Sequence, residues 1–273
     1  MRLACLVATP DIAEVPMALL NGSFEEKLAM ARRLGYAGVE LMVRDASELN
    51  PSGIKAALRR HELEVPQIAT GELFGTDGLA LVHPDGAVCR AAEQRLHDIV
   101  QLASLLGNRT MINIGRVRGR LDWFPPNARA TARTRIVDAV QALCDYAAPY
   151  GVRITLEPCN RYELDFVNTT REGLEVASQV AKPNFGLMLD LFHMNIEDAS
   201  IEGALREARQ ILWHLHIADS NRLPPGLGHL DFASIIATLR EIDYEGYLSV
   251  EARALPDPHT AAGLAAEYMR QWL

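Results

Sequence analysis

The sequence predicts an α/β protein folded as a single-domain (β/α)8 TIM barrel over residues 1–273, and three observations predict it. Short apolar runs alternate with longer stretches of helical period, the pattern of βα units around a parallel sheet. Eight such pairs can be counted, and the 273 residues divide into about 34 per unit, close to the length of a barrel repeat. No Pro-, Gly- or Ser-rich linker and no low-complexity segment divides the chain.

The strands expected, in order, are "RLACLVA" (2–8), "GVELMV" (38–43), "EVPQIA" (64–69), "RTMINIG" (109–115), "VRITLEP" (152–158), "FGLMLD" (185–190), "LWHLHI" (212–217) and "GYLSVE" (246–251). Each is short and apolar. The clearest helices between them are "FEEKLAMARRLG" (24–35), "AVCRAAEQRLHDIVQLASLLG" (87–107), "ARATARTRIVDAVQALCDYAAPYG" (128–151) and "TREGLEVASQVA" (170–181). All four carry apolar residues at three- and four-residue spacing, and several stop at Gly. Ser23 and Thr169 are the N-caps this reading requires. Two connections exceed what a turn needs, "TGELFGTDGLALVHPDG" after the third strand and "RVRGRLDWFPPN" after the fourth. Both leave C-terminal strand ends, the rim where barrels bind ligands, so they are the expected walls of a pocket.

Composition narrows the function classes. With 49% hydrophobic and 23% charged residues the chain can bury a large core. Its 27 Lys and Arg against 35 Asp and Glu give a net charge of −8, a field that repels polyanions and disfavours nucleic acid as a partner. The N-terminal apolar run is too short for a signal peptide, and nowhere do about 18 uninterrupted apolar residues occur, so no membrane association and a cytoplasmic location are expected. Cys5, Cys89, Cys144 and Cys159 are scattered without a C-x-x-C pair and read as reduced thiols. Barrels pair through outer helices, which makes a homo-oligomer an open possibility, although no helix stands out as a sticky face.

The stretch "LWHLHIADSNR" (212–222) ends a strand in two imidazoles, a carboxylate and a guanidinium, groups a core strand has no use for. Side chains alternate along a strand, and in "TLE" (155–157), "MLD" (188–190), "HLH" (214–216) and "SVE" (249–251) the middle residues Leu156, Leu189, Leu215 and Val250 suit the face that packs on helices. Glu157, Asp190, His216 and Glu251 are then left pointing inward at the top of four successive strands, where they converge. Three converging carboxylates repel one another unless a cation neutralises them. Three oxygens and one imidazole suit a single hard to borderline divalent ion, Mn²⁺, Mg²⁺ or Co²⁺, rather than a thiolate-rich zinc site. Mn²⁺ is the expected ion.

The segments "LEPCNRYE" (156–163), "MLDLFHMN" (188–195), "HLHIADSNRLPPGLGHLDF" (214–232) and "LSVE" (248–251) resemble the sugar phosphate isomerase/epimerase group of xylose isomerase-like barrels, and within it the ketose 3-epimerases of the D-tagatose and D-allulose type. The likeness covers about residues 152–251, while the N-terminal half matches only in its βα rhythm. It implies that Glu157, Asp190, His216 and Glu251 ligate one metal, that Glu157 and Glu251 also exchange protons, and that Glu163, His193 and Arg222 contact substrate oxygens. The chemistry agrees. Inverting a carbon beside a carbonyl requires removal of a weakly acidic C–H proton by a carboxylate, with a cation stabilising the enediolate that forms. A second carboxylate on the opposite face returns a proton to give the epimer.

His214, one layer below His216, reads as a core or supporting histidine. Asn160 and Arg161 either brace the site or order their loop. Trp123 stacks on a sugar face or packs beneath its Pro-rich loop. Arg116, Arg118 and Arg120 in "GRVRGR" either read a phosphate or carboxylate on the substrate or form a solvated face paired with Asp122. The function expected is thus a metal-dependent isomerase or epimerase of a sugar or sugar phosphate in carbohydrate metabolism. Hydroxypyruvate isomerases and cyclic polyol dehydratases share the fold and remain alternatives. An endonuclease IV-like nuclease is disfavoured by the charge and by the absence of histidine at the ends of strands three and four. A non-catalytic sugar sensor is disfavoured by the two intact glutamates.

Overall fold

The computed structural model describes residues 1–12, 17–107 and 110–273. Eight parallel strands close into a barrel in chain order: β1 (Arg2–Ala8), β2 (Gly38–Met42), β3 (Gln67–Ala69), β4 (Met111–Ile114), β5 (Arg153–Leu156), β6 (Phe185–Asp190), β7 (Leu212–Ile217) and β8 (Tyr247–Val250). Ten α-helices lie among the described residues: α1 (Phe24–Leu34), α2 (Pro51–Arg60), α3 (Gly71–Gly75), α4 (Gly86–Leu106), α5 (Arg129–Ala147), α6 (Thr170–Val180), α7 (Leu191–Glu197), α8 (Ile201–Ala208), α9 (Phe232–Glu241) and α10 (Pro258–Met269). The (β/α)8 barrel expected from the alternation is the observed fold. Two short helices, α3 and α7, are additions that follow β3 and β6 directly.

Alternation along the strands divides the interior as expected. Val39, Leu41, Ile112, Ile154, Leu156, Leu189, Leu215 and Val250 join the main core cluster with helix residues such as Leu28, Ile54, Leu96, Val140 and Leu239. The intervening positions, Glu40, Gln67, Asn113, Thr155, His214 and Ser249, are equally buried yet polar. They fill the barrel, where Glu40, Gln67, Thr155 and His214 form one hydrogen-bonded chain.

Local chemistry accounts for the element ends. Ser23 and Thr169 both cap their helices through full capping boxes, with Glu26 and Glu172 returning the bond. The third strand begins at Gln67 instead of residue 64, because Pro66 has no N–H to give the ladder and only its carbonyl is used, by the Met111 amide. Pro149 likewise ends α5 at Ala147 and turns 148–150 into a 3-10 turn. Arg109, the first residue expected of the fourth strand, lies outside the described residues.

The two long connections pack against each other. Val82 bridges Gly119, and Phe74 and His83 hold the Trp123 ring at centroid distances of 5.8 and 4.8 Å. All four cysteines are free. Among the described residues, no helix is long and apolar enough to cross a membrane.

Candidate active site

Glu157 and Glu251 stand one residue beyond β5 and β8, and each keeps its backbone N–H on the neighbouring strand, to the carbonyls of Ile114 and Ile217. Asp190 closes β6 and caps α7 through the Phe192 amide at 2.8 Å. His216 lies directly across from Asp190 in the β6–β7 register. One atom from each of these four side chains falls within 4.8 Å of all the others. From His216 Nδ1 the distances are 3.0 Å to Glu251 Oε2, 3.8 Å to Asp190 Oδ2 and 3.9 Å to Glu157 Oε1.

The opposite ring nitrogen of His216 is held from below. Its Nε2 meets Glu40 Oε2 at 2.9 Å, and the same carboxylate takes His214 Nε2 at 2.8 Å and Gln67 Nε2 at 3.0 Å. Thr155 in turn donates to Gln67 Oε1 at 2.9 Å. Glu40 is fully buried in mid-strand, and the sequence reading passed over it. The one signal was a charged residue inside "GVELMV", with no indication that its partners lie 174 and 176 residues away. His214 is the supporting histidine that its layer implied.

Electrostatics follow from this layout. Burial pushes the Glu157 carboxyl up, and the charges of Glu251 and Asp190 add to that, to about 8, although His216 and a 2.8 Å bond from Asn113 Nδ2 pull the other way. Burial would also raise Asp190 and Glu251, but Arg222, forked between Asp190 Oδ2 and Glu251 Oε2, reverses it and holds both below the ordinary range. Burial alone would neutralise His216; Glu40 and Glu251 around it instead raise its pKa well above the usual value. Burial lowers His193 and His214.

Donor set and surroundings fit a divalent cation. The three oxygens and Nδ1 are gathered at one point, and a carboxylate behind the imidazole is the common arrangement for orienting a metal-bound histidine. Two further groupings among the described residues are engaged otherwise. Glu40 is bonded to both His214 and His216. In the set Glu157, Cys159 and His193, the thiol donates to the Glu157 carbonyl at 3.5 Å and the His193 Nδ1 is taken by Asn160 at 2.7 Å.

The remaining candidates fall at different places. His193 and Glu163 flank the carboxylates, with His193 Nε2 3.7 Å from Glu157 Oε1 and Glu163 Oε1 held by Asn160 Nδ2 at 3.2 Å. Arg161 pairs with Glu197 at 2.7 Å. Arg222 takes a left-handed φ of 63° on a loop that Asp219 organises, its carboxylate accepting the amides of Ser220, Gly226 and Leu230. Trp123 packs on Phe74 and His83, and Arg116 lies over the Phe74 ring at 6.0 Å.

The anion reading of "GRVRGR" needs correction. Arg118 is fully buried, with its guanidinium on the backbone carbonyls of Gly115, Glu157, Phe166 and Val167 at 2.8–3.1 Å, so it fastens the loop after β5. Arg120 pairs with Asp122 at 2.6 Å, the alternative weighed for it. Neither Arg116 nor Arg118 makes an ion pair among the described residues, and the Arg116 guanidinium donates to the Gly71 carbonyl at 3.4 Å. Gly115 also has a local reason: a Cβ there would come within 2.7 Å of Glu157 Oε2.

A family model described as "Xylose isomerase-like TIM barrel" matches residues 28–272. The chain belongs to that family. Its membership agrees with the resemblance read from the strand-end motifs. Among curated members of known activity, the L-ribulose 3-epimerase of Methylomonas sp. strain DH-1 is 32% identical over 225 residues, covering 82% of this chain and 77% of that protein. The 3-dehydro-D-guloside 4-epimerase of Escherichia coli K12 is 36% identical over 242 residues, covering 84% and 86%. Among solved structures, the D-allulose 3-epimerase of Methylomonas sp. in complex with D-allulose superposes with a TM-score of 0.82 at 27% identity, over 100% of this chain and 98% of that one.

Proposed function

We propose that this barrel is a divalent-metal-dependent sugar epimerase that inverts the carbon next to a carbonyl by proton transfer through Glu157 and Glu251. The observation that carries the reading is the meeting of Glu157, Asp190, His216 and Glu251 within 4.8 Å in a chain whose relatives include sugar epimerases. A cation held by these four would supply the Lewis acidity that makes a C–H beside a carbonyl removable. Glu157 and Glu251 then act from β5 and β8, one taking the proton and the other returning one. Asn113 holds Glu157 by one oxygen and leaves the other toward the site. Arg222 and His193 bring donors to the substrate's oxygens, Glu163 brings an acceptor for a hydroxyl, and Trp123 and Arg116 form the wall contributed by the two long loops. Mn²⁺ is the proposed ion, since mixed carboxylate and imidazole ligation suits it.

The substrate is read as an uncharged sugar, because Arg118 and Arg120 are engaged within the protein and leave little to pair with a phosphate. Two substrate classes divide the relatives. Free ketoses inverted at carbon 3 are one, and 3-dehydro glycosides inverted at carbon 4 are the other. The 36% identity across 242 residues favours keeping the second beside the first. In both, the inverted carbon adjoins the carbonyl, so one pair of carboxylates serves either. Incubation of the Mn²⁺-loaded protein with ketopentoses, ketohexoses and 3-dehydro glycosides, followed by proton NMR, tests the reading. Epimerisation within one class supports it; sugar binding without turnover in every class overturns it.

A further inference from the structure

Asn160 and His193 are both buried, at 2% and 3% exposure, and meet with Asn160 Nδ2 2.7 Å from the ring Nδ1. The other contacts of Asn160 decide which of the two donates. Its Oδ1 accepts the Tyr162 backbone N–H at 3.0 Å, a group that can only donate. Its Nδ2 donates to the Glu163 carboxyl oxygen Oε1 at 3.2 Å. Turning the amide over would break both bonds. An Asn160 N–H therefore points at Nδ1, which must offer its lone pair, and the ring proton resides on Nε2. That nitrogen faces the carboxylates, 3.7 Å from Glu157 Oε1 and 3.9 Å from Asp190 Oδ2.

We propose that Asn160 is a positioning residue that fixes His193 as the Nε2–H tautomer, so that His193 donates a hydrogen bond to a substrate oxygen and stays out of the ion's ligand set. The two imidazoles of the site are thereby set oppositely by what stands behind them. Behind His216 is an acceptor, Glu40, which keeps a proton on Nε2 and leaves Nδ1 free to lose its own. Behind His193 is a donor, so its inward nitrogen carries hydrogen and has no lone pair for a cation. The substrate half of this proposal rests on the epimerase reading; the tautomer half does not.

Long-range proton–nitrogen NMR of ¹⁵N-labelled protein loaded with diamagnetic Mg²⁺ tests it, with the His193 signals assigned by their loss in His193→Gln. The expected spectrum has a protonated Nε2 and an unprotonated Nδ1. In Asn160→Asp the carboxylate becomes an acceptor and Nδ1 should gain a proton, while Asn160→Ala should give a mixture of tautomers. In the Ala variant kcat should fall about tenfold or more with metal affinity unchanged, the mark of a lost transition-state contact. A protonated Nδ1 in the parent protein, or an unchanged ring in both variants, would overturn the proposal, and the parent spectrum decides even if a variant does not fold. An absence of epimerisation of any sugar would instead remove the epimerase reading and leave the tautomer result standing.

Discussion

At the scale of single residues, the paired roles of Glu157 and Glu251 can be separated from their place in a ligand set. Glu157→Gln and Glu251→Gln keep the side-chain size and an oxygen for a cation, but an amide takes no proton. Each should lose on the order of 10²-fold or more in kcat while still binding Mn²⁺, measured by steady-state kinetics beside metal titration. Full activity in either variant removes that glutamate from proton transfer. Glu40 acts one layer further out. Glu40→Gln keeps its shape but loses the charge that orients His216, and the expected cost is about 10–100-fold in metal affinity, read by competition with a chelating dye. The four strand-end residues were legible because each sits where an alternating strand stops, with an aliphatic neighbour marking the opposite face. Glu40 was not, since one acidic residue inside an apolar run carries no mark of the histidines it meets on a strand far along the chain.

At the scale of elements, the loop after β4 fastens the loop after β5. Arg118 supplies that fastening through four backbone carbonyls, one of them of Glu157 itself. Arg118→Met would strip a donor from each of those buried carbonyls, although Gly115 and Val167 keep the amides of Arg118 and Cys159, and should destabilise the fold by on the order of 3 kcal/mol, seen as a lowered urea midpoint. An unchanged midpoint would mean that the carbonyls find other donors. By contrast, Arg116→Ala should leave stability alone and alter turnover of neutral and phosphorylated sugars equally; a loss confined to phosphorylated sugars would restore the anion reading for that residue. Arginines at spacing two on a loop look solvated in sequence, and backbone carbonyls, the partners that bury Arg118, leave no trace there. Element ends were set by other groups: hydrophobic pattern located all eight strands, while Pro66 sets where β3 begins and Pro149 where α5 stops.

Over the whole molecule, the barrel stores a proton that a cation should displace. Folded, Glu157 titrates near 8 against an ordinary 4.5, so the metal-free fold holds a proton that the unfolded chain releases. Stability from this group is full below 4.5 and lost as pH rises through about 8, and His216, raised well above 6.5, acts in the same direction in the upper part of that window, while the lowered His193 and His214 oppose both only up to the ordinary histidine value of 6.5. The chelator-treated protein should therefore unfold at a lower urea concentration at pH 8.5 than at pH 7.0, with roughly 1.4 kcal/mol per pKa unit as the ceiling. Mn²⁺ affinity should rise with pH up to about 8, because binding must expel the same proton. A metal affinity independent of pH would contradict the placement of that proton.

Epimerisation by this site requires a carbon-bound proton to leave to one carboxylate and another proton to return. Turnover in D₂O tests it most directly. A carboxylate at an open barrel rim exchanges its proton with water, so the epimer formed should carry deuterium at the inverted carbon, and only there, by NMR and mass spectrometry. An epimer formed in D₂O with no solvent deuterium at the inverted carbon would contradict proton exchange through these carboxylates.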